Sequence, residues 1–274
     1  MEYSIFRNTM VDKTYLQVEE AISKGASVLL PVSVVEEHGP HLCLGTDIYL
    51  TQIVSEKIQK RLQSEHHEVI IAPPFYWGVN SITNGFTGSF EIKAETMSMV
   101  LLEIIKNIQR WGFKEIFLLN FHGDFVHIKT IIETAEKAAQ EGIAAYFVNS
   151  RAIFAQLGYR EDKDYLVMVD LNQGEIALEE KYLDVHAGAF ETSWMLNSYR
   201  DLVDVETAKQ LEPTVLGLNE LKAWTYGGSK AKSLTPKGYL GNPANMDLNK
   251  MEEIETIIID RYSKAIMKVI ENKR

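Results

Sequence analysis

The chain has 274 residues, 46% of them hydrophobic and 24% charged, a balance that fits a soluble globular protein and excludes a disordered or fibrous one. Its net charge of −10 argues against nucleic acid as a partner, because phosphate binding needs clustered Lys and Arg. The single cysteine, Cys43, rules out an intrachain disulfide and fits a reducing cytoplasm, and no apolar run approaches the ~20 residues that span a bilayer.

In chain order, residues 13–24 carry apolar side chains at helical spacing until Gly25 stops them. Residues 27–35 (SVLLPVSVV) read as a buried strand, and residues 47–62 as a helix with Ile48, Leu50, Ile53, Val54 and Ile58 on its apolar face. A short strand at 68–72 ends at Pro73-Pro74, and a long amphipathic helix follows at 94–111. Then come a strand at 116–119, a helix at 126–140 and a strand at 144–148. Beyond Ser150 the pattern is less regular, with helices expected at 189–196 and 251–272. This β-α-β-α rhythm predicts an α/β fold, a mostly parallel central sheet covered by helices on both faces. No linker or repeat interrupts it, so residues 1–274 are read as one domain. Two long loops, 73–90 and 226–243, are rich in Gly and are expected to shape a site.

Chemistry concentrates where strands end. The 27–35 run leads into Glu36-Glu37-His38-Gly39-Pro40-His41-Leu42-Cys43-Leu44-Gly45-Thr46-Asp47. Oxygen and nitrogen donors gathered at such a point suit a divalent metal and suggest hydrolysis. In extended chain, Glu36 and His38 share one side and Glu37 takes the other. Gly39-Pro40 turns the chain, Thr46 is expected to cap the next helix through its hydroxyl, and Asp47 in its first turn folds back as a bridge between two metals. Taken singly, each residue also reads as a solvated loop group or a helix-dipole acid; the three together read as ligands. The 116–119 strand runs into Asn120-Phe121-His122-Gly123-Asp124, where His122 reads as a ligand and Asp124 equally as a ligand or a helix-start acid. Later, His186 precedes Gly188 and Glu191, a pair that reads either as site residues or as a loop imidazole and a first-turn carboxylate. Ser81, Thr83 and Thr87 offer hydroxyls to a substrate. Gly123, expected to adopt an unusual backbone angle, is counted with Ser81 and Thr87 as a substrate contact. His66 and His67 read as solvated, His127 as structural and His41 as a neighbour of the site. There is no Gly-x-Ser-x-Gly elbow, phosphate-cradling loop or His-Glu-x-x-His helix.

Together these segments, with Gly238-x-x-Gly241-x-Pro243, resemble the creatininase (creatinine amidohydrolase) family over roughly residues 13–270. The resemblance implies a three-layer α/β/α sandwich and two divalent metal ions, zinc, manganese or iron. Glu36, Asp47 and His122 would hold one ion, and His38, Asp47 and Glu191 the other, with Asp124 a further candidate ligand. His186 falls at the family's catalytic histidine and is paired as catalytic with Glu37. Asn120, Thr46 and Glu37 would orient the imidazoles. Members are commonly hexameric, so a homo-oligomer is expected, with no nucleic-acid or membrane partner. Creatininase itself has Glu at the position of Asp124 and an aromatic residue at that of Gly123. Tryptophans that close over creatinine have no counterpart in residues 147–159, and Glu37 replaces a frequent Gln. These departures point away from creatinine. The expected activity is hydrolysis of a C–N bond (an amide, cyclic amide or formamide) of a small molecule by a metal-bridged hydroxide. Alternatives are opening of an oxidised inositol ring at the same site and, more remotely, a non-catalytic small-ligand-binding module.

Overall fold

In a computed structural model, residues 3–178 and 181–273 are described. Five strands, β1 (Ser27–Pro31), β2 (Val69–Ile71), β3 (Ile116–Leu119), β4 (Ala145–Ser150) and β5 (Leu166–Val169), form one sheet in the order β2-β1-β3-β4-β5. Every pairing is parallel, with Val28 opposite Ile116 and Leu118 opposite Phe147. All five residues of β1 are buried, as a parallel strand covered on both faces requires.

The helices are α1 (Tyr15–Ser23), α2 (Thr46–Ser64), α3 (Ala94–Trp111), α4 (Phe125–Gln140), α5 (Arg151–Gln156), α6 (Gln173–Ile176), α7 (Ala189–Ser198), α8 (Val205–Gln210), α9 (Leu218–Trp224), α10 (Gly228–Leu234) and α11 (Leu248–Lys273). Alternating strand residues sort them into two layers. Leu29 and Phe117 pack with Val54, Ile58, Trp194 and Ile258 of α2, α7 and α11. Val28, Leu30 and Leu118 pack on the other side with Leu101, Ile105 and Ile131 of α3 and α4. The result is the expected three-layer α/β/α arrangement, with the sheet wholly parallel among the described residues. A third, small core around Trp224 and Leu240, with Ile82, lies apart from both; it joins α9 and α10 to the 80–90 loop. No helix among the described residues is long and apolar enough to cross a membrane.

The strand order places the site. From β1 the chain crosses through α2 to β2 on one side, then through α3 to β3 on the other. The connections leaving β1 and β3 therefore diverge, and open parallel sheets bind ligands at such a switch point, beyond the carboxyl ends of the strands.

Candidate metal centre

The run from Ser27 stays buried through Val34, beyond the end of β1, and the acidic loop begins inside the protein. Glu36, His38 and Asp47 are 2%, 0% and 1% exposed, and Glu36 N–H donates to Leu44 O at 3.0 Å to close the loop. Gly39 turns it with φ of +66°, a left-handed conformation that glycine adopts without strain. Asp47 lies in the first turn of α2, as expected, but Thr46 does not cap that helix. Gly45 is the cap residue, and the Thr46 hydroxyl donates to Cys43 O at 2.8 Å.

At the end of β3, Asn120 clamps His122 from both sides: Oδ1 accepts its N–H at 3.1 Å and Nδ2 donates to its carbonyl at 2.8 Å. His186 reaches the same place from the other half of the chain because its backbone pairs with Leu240. That pairing needs glycine, since a Cβ on Gly188 would lie 1.7 Å from Asp184 Oδ1 and 3.1 Å from Gly241 Cα. Ala187 N–H donates to Glu191 Oε2 at 2.6 Å, aiming that carboxylate back toward His38.

Five of these side chains form two overlapping sets, Glu36–Asp47–His122 and His38–Asp47–Glu191, with the ligand atoms of each within 4.8 Å of one another. Asp47 gives one oxygen to each set: Oδ2 is 3.0 Å from His122 Nδ1, and Oδ1 is 3.4 Å from His38 Nε2. His122 Nδ1 is also 2.9 Å from Glu36 Oε1, and His38 Nε2 is 3.7 Å from Glu191 Oε2. His38 Nε2, Asp47 Oδ2 and His122 Nδ1 are buried and make no hydrogen bond. Leaving such groups unsatisfied costs about 1–3 kcal/mol each. Ligand atoms around a tetrahedral cation with bonds of about 2.0–2.1 Å sit about 3.3 Å apart, so separations of 2.9–3.7 Å suit donors gathered around divalent ions. His38 is ready to ligate: its Nδ1–H donates to Glu36 O at 3.2 Å, leaving the Nε2 lone pair toward the cluster.

Electrostatics point the same way. Burial alone would lower the pKa of His38 and of His122, yet Asp47, Glu36 and, for His38, Glu191 hold both well above the ordinary histidine value. Burial works to raise Asp47, but the two imidazoles hold it well below the carboxylate range. Burial pushes Glu191 up. The cluster attracts positive charge.

His186 sits 4.4 Å, ring to ring, from His38. Its Nε2 lies 2.8 Å from Glu37 O and 3.4 Å from Glu37 Oε1. Both are acceptors, so Nε2 carries the proton and Nδ1, 3.9 Å from Glu36 Oε1, presents a lone pair to the cluster. Glu37 in turn accepts Gly39 N–H at 3.0 Å and lies so close to Gly238 that a Cβ there would be 1.9 Å from its Oε2. Glu36, His38 and His186 form a third combination close enough to hold an ion.

Other expected site residues are placed differently. Asp124 joins none of the three combinations. One of its oxygens accepts Val126 N–H and His127 N–H to cap α4, and the other accepts Ser81 N–H and Ser81 O–H, both at 2.6 Å. The helix cap takes one oxygen and Ser81 the other, and the latter bonds commit the Ser81 hydroxyl to Asp124 rather than to a substrate. Thr87 is exposed. Gly123 is exposed, lacks the unusual backbone angle expected of it, and would meet open space if given a Cβ. Thr83, expected to meet substrate, instead hydrogen-bonds Glu36 Oε2. His127 is structural: Nδ1 accepts Val79 N–H at 3.2 Å. His67 is buried, not solvated, 3.7 Å from Glu271. His41 Nε2 meets Thr192 Oγ1 at 2.8 Å, and burial, with the nearby His38 and His186, lowers its pKa to about 4.

The sequence profile of the creatinine amidohydrolase (creatininase) family matches residues 12–266. The chain belongs to the creatininase family. It is 26% identical over 223 residues to creatinine amidohydrolase of Pseudomonas putida, covering 75% of this chain and 76% of that one. It is 27% identical over 228 residues to the mycofactocin precursor peptide peptidase of Mycolicibacterium smegmatis (83% and 78%), and 23% identical over 273 residues to the 3-dehydro-scyllo-inosose hydrolase of Thermotoga maritima (94% and 82%). A solved structure described as "Creatininase Mn" superposes with a TM-score of 0.69 over 95% of this chain and 98% of that one, at 20% identity, a likeness of fold. As a creatininase-family member the protein is a metal-dependent hydrolase. Trp224, a residue of the small third core, sets its ring 6.1 Å from that of His186, a neighbour that no local sequence pattern reveals.

Proposed function

We propose that this creatininase-family protein hydrolyses a C–N amide bond of a small molecule, with Asp47 shared by two divalent cations and His186 moving the proton. The observation that carries the reading is the pair of candidate ligand sets meeting at Asp47, whose two oxygens lie beside different imidazoles. Zinc, manganese or iron bound there would supply Lewis acidity and water activated near neutral pH. Glu36 and His122 would hold one ion, and His38 and Glu191 the other. His186 takes the proton lost by the attacking water at Nδ1 and returns it to the departing nitrogen. Glu37, through its carbonyl and carboxylate beside Nε2, keeps the ring in the tautomer that leaves Nδ1 free and favours the imidazolium. Burial of Glu36, His38, Asp47, His122 and His186 keeps bulk water from screening these charges.

A second reading, opening of an oxidised cyclitol ring, is favoured by the likeness to the inosose hydrolase over 94% of the chain. One experiment separates the two. The protein is stripped with a chelator, reloaded with zinc or manganese, and assayed against formamides, cyclic amides, short peptides and a keto-cyclitol. Amide cleavage that disappears on stripping and returns on reloading is expected. Ring opening with no amide cleavage would shift the assignment to the second reading, and a protein that holds no cation would end both.

We also propose self-association, which the family resemblance implies as a hexamer. What supports it is a surface groove of about 1100 Å³ formed by α1, α3 and residues 72–77, away from the metal centre. Tyr15, Val100 and Trp111 around it are 72%, 47% and 50% exposed, an apolar surface of the kind that marks protein contacts. Sedimentation velocity is expected to show an oligomer, and Val100→Glu to shift it toward monomer. A monomer at all concentrations in the parent protein would remove this proposal.

A further inference from the structure

One oxygen of Glu36, Oε1, faces the imidazoles, 2.9 Å from His122 Nδ1, 4.0 Å from His38 Nε2 and 3.9 Å from His186 Nδ1. The other, Oε2, is hydrogen-bonded by Thr83 Oγ1. Thr83 is 2% exposed, in a loop far from the strand ends in sequence. Asn80 Oδ1 also lies 2.7 Å from Thr83 Oγ1. A hydroxyl has one proton, and an ionised carboxylate is the stronger acceptor, so the proton goes to Glu36. Ser89 completes the chain: its Oγ accepts Glu37 N–H at 3.0 Å and lies 3.3 Å from Thr83 Oγ1, to which it donates. Each hydroxyl thus donates once and accepts from its neighbour.

The loop bearing these hydroxyls is fixed at several points. Ser81 is bound to Asp124 and Val79 to His127. Gly228 N–H donates to Ile82 O at 3.0 Å. A Cβ on Gly227 would lie 1.9 Å from Ser81 O, so the turn between α9 and α10 presses directly on the loop.

We infer that Thr83 is a positioning residue for the metal centre: by occupying Oε2 it makes Glu36 a one-oxygen ligand and selectively sustains the cation shared with Asp47 and His122. The inference rests on the two-cation reading above. The bond does not touch the His38–Asp47–Glu191 set, so its loss should fall unequally on the two ions.

The test is zinc titration and metal analysis of the full chain, with Thr83→Val, which keeps the volume and removes the hydroxyl, and Thr83→Ser, which restores it. With parent protein holding two zinc ions, Thr83→Val is expected to bind the first as the parent does and the second about 10- to 100-fold more weakly, the effect typical of losing an outer partner of a ligand. Thr83→Ser is expected to return to the parent pattern. Parent-like affinity for both ions in Thr83→Val overturns the inference, as does equal weakening of both, which would mark a general disturbance of the loop. If Thr83→Val does not fold, Thr83→Ala carries the same comparison. A parent protein that binds no zinc or manganese would instead refute the two-cation reading, so the two failures are distinguishable.

Discussion

Asp47→Ala is expected to lose both cations together. Each oxygen of this carboxylate faces a different imidazole, 3.0 Å from His122 and 3.4 Å from His38, and among the described residues no other side chain belongs to both the Glu36–His122 and the His38–Glu191 sets. Removing an outer partner of a metal ligand typically costs about 10- to 100-fold in affinity, so removing a ligand common to both ions exceeds that at each. It also leaves His38 Nε2 and His122 Nδ1 buried without their shared counter-charge. Inductively coupled plasma mass spectrometry after gel filtration checks this, against Glu191→Ala as the contrasting variant. Two ions per chain are expected in the parent, one in Glu191→Ala and none in Asp47→Ala. A full ion retained by Asp47→Ala would show that the two sets are independent.

His186→Ala is expected to keep both cations and lose turnover by about 10²–10⁴-fold, the range for removing a positioned proton carrier, equivalent to about 3–5 kcal/mol in the barrier. The imidazole is oriented from behind by Glu37, and its free nitrogen points at the cluster. KM should change little, since the ring is assigned a proton rather than a substrate contact. Added imidazole should restore part of the rate. Loss of a cation in this variant would mean that the Glu36–His38–His186 combination is the one in use, and His186 would then be a ligand.

The centre was legible in the sequence because its chemistry lies in three short segments, each next to an element the pattern announces. Glu36, His38 and Asp47 follow β1, His122 follows β3, and Glu191 opens α7. Asp124 was ambiguous for a physical reason: a carboxylate two residues beyond a ligand histidine has the spacing of a second ligand and equally of a helix cap, and only the direction of its oxygens decides. The Thr83–Glu36 bond spans 47 residues and has no local signature; a threonine in a Gly-rich loop looks the same whether it faces a substrate or a ligand. The strand β5 leaves little trace in the sequence because its four residues, Leu166–Val169, follow a polar stretch and show no alternation. Its edge position and its partners on β4 become apparent only in the folded sheet. The helices α9 and α10 are hidden likewise, seven residues each, too short for periodicity to emerge.

The two ligand sets differ in where the chain completes them. Glu36, Asp47 and His122 are all present in the first 122 residues, together with β1, β3 and the Thr83 loop that steadies Glu36. The second set waits for Glu191, and His186 is locked in place only through Leu240, near the far end. During synthesis, therefore, the donors of the first set are all available while translation is still under way, but Glu191 and a fixed His186 join them only once nearly the whole polypeptide has been made.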